Sequence, residues 1–464
     1  MSHFWQAIGE GIVGFSDFIC GYPLFILLIG GGLFFLVYSR FAPLRRFGSA
    51  VRALRVRDDK ADGQISSFEA LASAIAATVG LGNIAGVAIA LSMGGPGAIF
   101  WMWVSAVVGM ATKFFEGTLA VMFRGRDSRG EVQGGPMYMI TSGLGPKWKP
   151  LAVFFSISGL FGTLCVMQSN QLTESIMTLF VSPEHNTASG RCIIGIAISI
   201  IVAFVIFGGI RRISRVASRL VPVMVGAYML LILYIIASHI TLVPGVFRDI
   251  FVGAFSVRAG LGGAAGSIVA VALTGVRRAA LVNEAGVGTA SMMHGASRNS
   301  EPVREGLVAM LGPSIDSGLV CTLTAIAILV GRAIDPSVLP AGGDIKGLAV
   351  ALNAFDAAIP VAGRYLLFII VLCFAFSTMF SYSYYGQKCL GYLLGADKGR
   401  WYNWFFLVML VVTAVIPLRV AVSFIDIAFA MMAFPTMMTL LLLAPKARRE
   451  MDIYFSETKR NKAI

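Results

Sequence analysis

Asp316 in PSIDS, Glu284 in NEAGVG, the Ser377-Thr378 pair in FAFSTMF and the run Gln168-Ser169-Asn170 are polar groups set in otherwise apolar sequence. An ionisable group at bilayer depth costs at least about 2.5–3.5 kcal/mol on insertion scales, so each needs a partner or a task. Hydroxyls beside free carbonyls suit a hard, oxygen-preferring monovalent cation, and side-chain amides facing a cavity could hold an amine or a carboxylate. Each group also has a structural alternative. Asp316 is either a cation-site carboxylate or a buried structural acid; helical Ser and Thr bond back to the preceding turn; Gln168, Ser169 and Asn170 could hydrogen-bond between helices. Glu284, at the end of a helix, reads as a gate or a cap. Lys113 and Glu116, three apart on one helix face, are expected to satisfy one another. Four histidines (His3, His185, His239, His294), with no HExxH, GxSxG or P-loop pattern, supply no catalytic set and no ATP site. Neither an enzyme nor an organic cofactor is expected.

Such groups need backbone that opens in their vicinity. Gly80 to Gly86 reads GLGNIAG inside an apolar run from about residue 68 to 93, and Gly260 to Gly266 reads GLGGAAG, matching it at five of seven positions. Glycine costs roughly 1 kcal/mol relative to alanine in a helix interior, so three in seven residues make unwinding cheap. Unwound backbone at membrane depth survives only where protein buries it or it lines a polar cavity. Transporters place such breaks at corresponding positions of two internal repeats, where amides face an anion and carbonyls face a cation. Small-residue helix packing is the alternative; the paired placement favours breaks. A dinucleotide reading fails, because the third glycine is one residue too far along and no strand precedes it.

The chain that carries these features has 464 residues, 57% hydrophobic and 13% charged, with a mean hydropathy of +0.80. An ordinary soluble domain holds about 25% charged residues, so this is an integral membrane protein. A bilayer core requires roughly 20 apolar residues per helix. Eleven such helices are expected, at about 20–39, 68–93, 97–122, 150–180, 192–209, 216–240, 249–284, 306–330, 363–394, 402–417 and 422–444. With the first set aside, ten remain as two groups of five, and an odd group size inserts the second group upside down. The organisation expected is an N-terminal helix and basic loop (1–60), two five-helix repeats (61–241 and 242–445) and a basic tail (446–464). The net charge of +13 is parcelled between apolar runs, which argues against nucleic acid and for topology. Arg40 to Lys60, Arg124 to Lys149, Arg211 to Arg219, Arg277 to Arg304 and the tail fall on one side, placing the N-terminus outside and the tail in the cytoplasm. The six cysteines lack metal or disulfide spacing and read as apolar packers. No cleavable signal peptide is visible at residues 1–15, and no obligatory protein partner is evident.

Several long blocks carry a family resemblance: TVGLGNIAGVAIALSMGGPGAIFWMW (78–103), GGPMYMI (134–140), NEAGVGTASMMHGAS (283–297), DSGLVCTLTAIAIL (316–329) and SYYGQKCLGYLLG (383–395). They resemble the alanine or glycine:cation symporter family from about residue 20 to 445. The resemblance implies an all-α LeuT-type five-plus-five fold after one extra helix, and sodium-coupled import of a small neutral amino acid across the plasma membrane. It implies a substrate site at Thr78, Gly80, Leu81, Gly82, Asn83, Gln168, Gly262, Gly263, Ala264 and Tyr382. It further implies a sodium site at Ala76, Val79, Ser377 and Thr378. Asp316 and Glu284 remain candidates for coupling or gating, including coupling to protons. Leu81 departs from the family's usual Thr, Ala264 from Phe, Ser381-Tyr382 from Gly-Trp and Gln387 from Glu, which implies a pocket reshaped for another or larger side chain, such as that of glutamine.

Overall fold

A computed structural model of the protein describes residues 2–56, 62–182, 184, 186–255, 264–339 and 347–463. Among them, eight helices are long and apolar enough to cross a membrane, or nine when one bent pair counts as a single span. The remaining two expected spans take other forms. The 249–284 region holds helices Val243–Phe255 and Ala264–Asn283, with 256–263 outside the described residues, and the 402–417 region is the 14-residue helix Tyr402–Val415. The last span continues as one helix, Leu418–Ala463, through the basic tail.

The bent pair is Ser67–Thr78 and Gly82–Gly94, which meet at 50°. Ser66 starts the first half with a capping box: its hydroxyl accepts the Glu69 amide at 3.2 Å, and the Glu69 carboxylate accepts the Ser66 amide at 2.8 Å. The helix ends where GLGNIAG begins, with Val79 swung to ψ 92° and a π-turn over Gly82–Gly86. Gly80 is required by contact, since a Cβ there would lie 2.4 Å from the Thr378 hydroxyl oxygen. The glycine signal in the first repeat therefore marks a real break.

In the second repeat the discontinuity lies elsewhere. Gly260 to Gly263 fall outside the described residues, and Ala264 to Gly266 already belong to the helix Ala264–Asn283. The chain leaves that helix at the NEAGVG block: Glu284 takes φ 50°, Gly286 84° and Gly288 99° before helix Thr289–Gly295 resumes. A left-handed conformation costs a non-glycine residue roughly 1–2 kcal/mol, so Glu284 is held there by its surroundings.

The two broken helices run antiparallel, half against half. Ala264–Asn283 packs on Gly82–Gly94, with Gly94 against Thr274 and Gly86 against Val282, while Thr289–Gly295 packs on Ser67–Thr78. This is the relation an inverted repeat requires. Helices Gly97–Met122, Pro302–Ile334 and Ala362–Leu394 enclose the pair, each with about 70% of its apolar window buried (72%, 67% and 72%).

The fourth expected span, 150–180, is interrupted, because helix Lys149–Gly162 ends before Cys165 turns left-handed at φ 52° and Val166–Phe180 follows. Ser169 and Asn170 sit just past that turn and donate to the carbonyls of Leu410, Thr413 and Ile416, tying the second segment to Tyr402–Val415. Their role is interhelical.

Arg277 and Arg278 also move from their expected place. They lie inside Ala264–Asn283, bonded to Asp426 at 2.7 and 2.6 Å and, for Arg277, to Asp17 at 2.9 Å. They therefore face the end of the bundle that carries the 94–96 loop, away from Arg298 and Arg304. Apolar patterning cannot see this, because a buried acid on a distant helix makes intramembrane arginine tolerable.

Candidate functional site

The midpoint of the first broken helix faces the helix Ala362–Leu394 across a short polar contact. Ser377 and Thr378 donate to the Ala76 carbonyl at 3.3 and 3.1 Å, and both also reach the Phe374 carbonyl one turn back, at 2.9 and 3.1 Å. Back-bonding and the contact between helices are thus both present. Ala76, Val79, Ser377 and Thr378 are buried, and this cluster of hydroxyls and carbonyl offers the oxygen donors that a hard monovalent cation takes.

Asn83 serves the break itself. Its Oδ1 accepts the Gly80 amide at 2.9 Å, and its Nδ2 donates to the Asp316 carbonyl at 3.1 Å, pinning the unwound turn to Pro302–Ile334. Thr78 bonds back to Ala74 at 3.2 Å, Leu81 is fully buried, and Gly82 lies at the start of the π-turn. Gln168 is half-buried with no hydrogen bond among the described residues, so its amide is available. Gly262 and Gly263 lie outside the described residues, as does the Ala264 side chain.

The second break carries the carboxylates. Tyr382 donates its hydroxyl to Glu284, and so does Thr289. Glu116 accepts the amides of Gly286 and Ser291 at 3.3 and 3.2 Å. It caps the second break and forms no ion pair with Lys113, contrary to the expectation from their spacing; the unwound amides are stronger local donors than a lysine on the same helix face. Asp316 lies in a π-turn, Ser314–Val320, where one carboxylate oxygen takes the Ser317 amide and the other has no partner among the described residues. Glu284 and Asp316 are 1% and 0% exposed. Of the departures from the family pattern, Ser381 is buried with its hydroxyl unpartnered, and Gln387 donates to Asn403 at 2.7 Å.

Motifs gave no sign of how the ends are closed. At the end holding Ser66, the backbone of Gln64 donates to Ala296 at 2.8 Å and that of Arg298 to Ile65 at 2.6 Å. Arg124 adds bonds to the carbonyls of Ser297 and Asn299 at 2.5 and 3.1 Å. Burial pulls its guanidinium below the usual range, and the charges of Glu305 and Asp62 oppose that shift. Glu305 gathers His294, Ser67 and Asn299 at 2.6, 2.8 and 2.8 Å. At the opposite end a cavity of 430 Å³ opens between Met93, Arg277, Arg278 and Arg419. Two antiparallel broken helices, polar at their midpoints, strapped at one end and open to a cavity at the other, define a secondary transporter of the LeuT type.

Comparison with known proteins agrees. The solved structure of MhsT in complex with L-phenylalanine superposes with a TM-score of 0.61 at 15% identity, covering 84% of this chain and 93% of that one. The model of the sodium:alanine symporter family matches residues 5–464. The sodium/alanine symporter AgcS of Methanococcus maripaludis is 35% identical over 456 residues, 97% of each chain. The protein of Bacillus subtilis named "Probable sodium/glutamine symporter GlnT" is 31% identical over 462 residues, 98% of this chain and 93% of its own. The chain belongs to the sodium:alanine symporter family. It is a multi-pass membrane transporter and not an enzyme, of the class that couples amino-acid movement to sodium.

Proposed function

We propose that the protein imports a small neutral amino acid across the plasma membrane, driven by sodium bound at Ala76, Val79, Ser377 and Thr378. The observation that carries this reading is the pair of hydroxyls on the Ala76 carbonyl, with Gly80 pressed against Thr378. A cation at these oxygens would draw the first break and the Ala362–Leu394 helix into one arrangement and so prepare the neighbouring turn. The substrate carboxylate docks at the amides of Gly80, Leu81 and Gly82, and the free amide of Gln168 meets its ammonium or side chain. Glu284, with Tyr382 against it, forms the opposite wall and gate. The repeats, 61–241 and 242–445, then rock to open the strapped end. That end faces the cytoplasm, consistent with Arg124, Arg298, Arg304 and the basic tail, and the N-terminus lies outside. Inward sodium movement gains about 2.3 kcal/mol per charge per 100 mV of membrane potential.

The named relatives divide between alanine and glutamine, and Tyr382 with Ser381 in place of Trp and Gly favours a side chain that can hydrogen-bond. The test is uptake of labelled alanine, glycine, serine and glutamine into proteoliposomes under a sodium gradient or a proton gradient alone. Concentrative uptake with sodium alone is expected. Uptake with protons alone would transfer the coupling to Asp316 or Glu284 and overturn the sodium site.

A further inference from the structure

Three carboxylates, Glu116, Glu284 and Asp316, are buried around the second break, and they are unequally served. Glu116 takes two backbone amides and Glu284 two hydroxyls. Asp316 takes one amide and keeps an oxygen with no partner among the described residues, and the Ser317 hydroxyl beside it is likewise unpartnered. A carboxylate left so in a low-dielectric interior calls for a cation.

One cation faces all three. Lys113 is 3% exposed on the helix Gly97–Met122. One turn before it, Gly109 abuts Ala285 and Asn283 of the break; one turn after it, Glu116 caps the same break. This helix also packs on the π-turn that carries Asp316. The Lys113 ammonium is the strongest favourable charge on Glu116, Glu284 and Asp316 alike, yet it pairs directly with none of them. Lysine is a compact charge on a flexible stem with three donors, able to shift between acceptors as helices move.

We infer that Lys113 is a tethered cation that serves Asp316 in place of a second sodium, so that one sodium moves with each amino acid. The inference rests on the sodium-coupled reading above. With the ammonium removed, the Asp316 oxygen and the Ser317 hydroxyl would be left as oxygen donors for an ion from solution.

The test is the ratio of radioactive sodium, and of charge, to labelled amino acid in proteoliposomes of the full-length protein. The wild type is expected to move one sodium and one charge per amino acid, with a sodium Hill coefficient of about 1. Lys113→Gln is expected to raise the ratio to two and steepen the sodium dependence, and adding Asp316→Asn is expected to return it to one. Two sodium ions per amino acid in the wild type would overturn the inference alone, and that measurement needs no variant to fold. So would Lys113→Gln transporting with the wild-type ratio and sodium dependence. Uptake indifferent to sodium would overturn the coupling reading and the inference with it.

Discussion

Replacing Gly80 by alanine tests whether the first break and the Ser377/Thr378 hydroxyls form one ion site. An alanine Cβ would stand 2.4 Å from the Thr378 hydroxyl oxygen, whereas ordinary van der Waals contact begins at 3.4 Å. The hydroxyl, or the break, must give way by about 1 Å (3.4 minus 2.4), and that hydroxyl is fixed on the carbonyls of Ala76 and Phe374 at 3.1 Å each. Overpacking of this kind costs about 1–3 kcal/mol. Charged wholly to the sodium-bound state, that is about a 5- to 150-fold rise in the sodium concentration giving half-maximal uptake. The assay is a sodium titration of amino-acid uptake, with membrane insertion checked in parallel. Thr378→Ala removes both the obstructing oxygen and its service to the ion, so Gly80→Ala should add little in that background. A Gly80→Ala protein that titrates within twofold of the wild type would refute the reasoning. Losses that simply add in the double variant would do the same, since they would place the two residues in separate sites.

Glu284→Gln and Tyr382→Phe should couple in a double-mutant cycle by about 0.5–3 kcal/mol of transport activity, because the hydroxyl is spent on that carboxylate; additive losses would separate the gate from the wall. Arg124→Gln removes donors from the Ser297 and Asn299 carbonyls, and leaving buried acceptors unmet costs about 1–3 kcal/mol. Its thermal unfolding in detergent should come at lower temperature, and an unchanged midpoint would mean the strap does not close that end. Asp426→Asn leaves Arg278 buried without its counter-charge, and breaking a buried pair in this way costs about 3–5 kcal/mol. Detergent-solubilised protein should lose most of its folded yield, whereas a full yield would show the pair to be dispensable.

Several features of this protein could be read directly from its residues. Continuous apolar runs determine the solvent, because backbone in lipid must satisfy itself within helices, and hydropathy therefore located nearly all the spans. GLGNIAG marked the first break correctly, since Gly80 is where another chain atom comes too close for a side chain. The same glycine logic pointed to GLGGAAG, where the structure has a helix under way by Ala264; the discontinuity that meets the first one is at NEAGVG. Glycine density says where backbone can open, but packing decides where it does. Glu284 is held left-handed there by Tyr382, 98 residues away along the chain, and the Gly286 amide by Glu116, 170 residues away. Lys113 and Glu116 looked like a pair at their spacing, yet tertiary structure gave Glu116 to the break and left Lys113 facing Asp316. Ala76 and Thr378, 302 residues apart, could be joined beforehand only through the family resemblance. Periodicity and composition report what each segment must avoid, namely water or lipid. Which acid shares a cavity with which cation is set by the long-range contacts that folding alone creates.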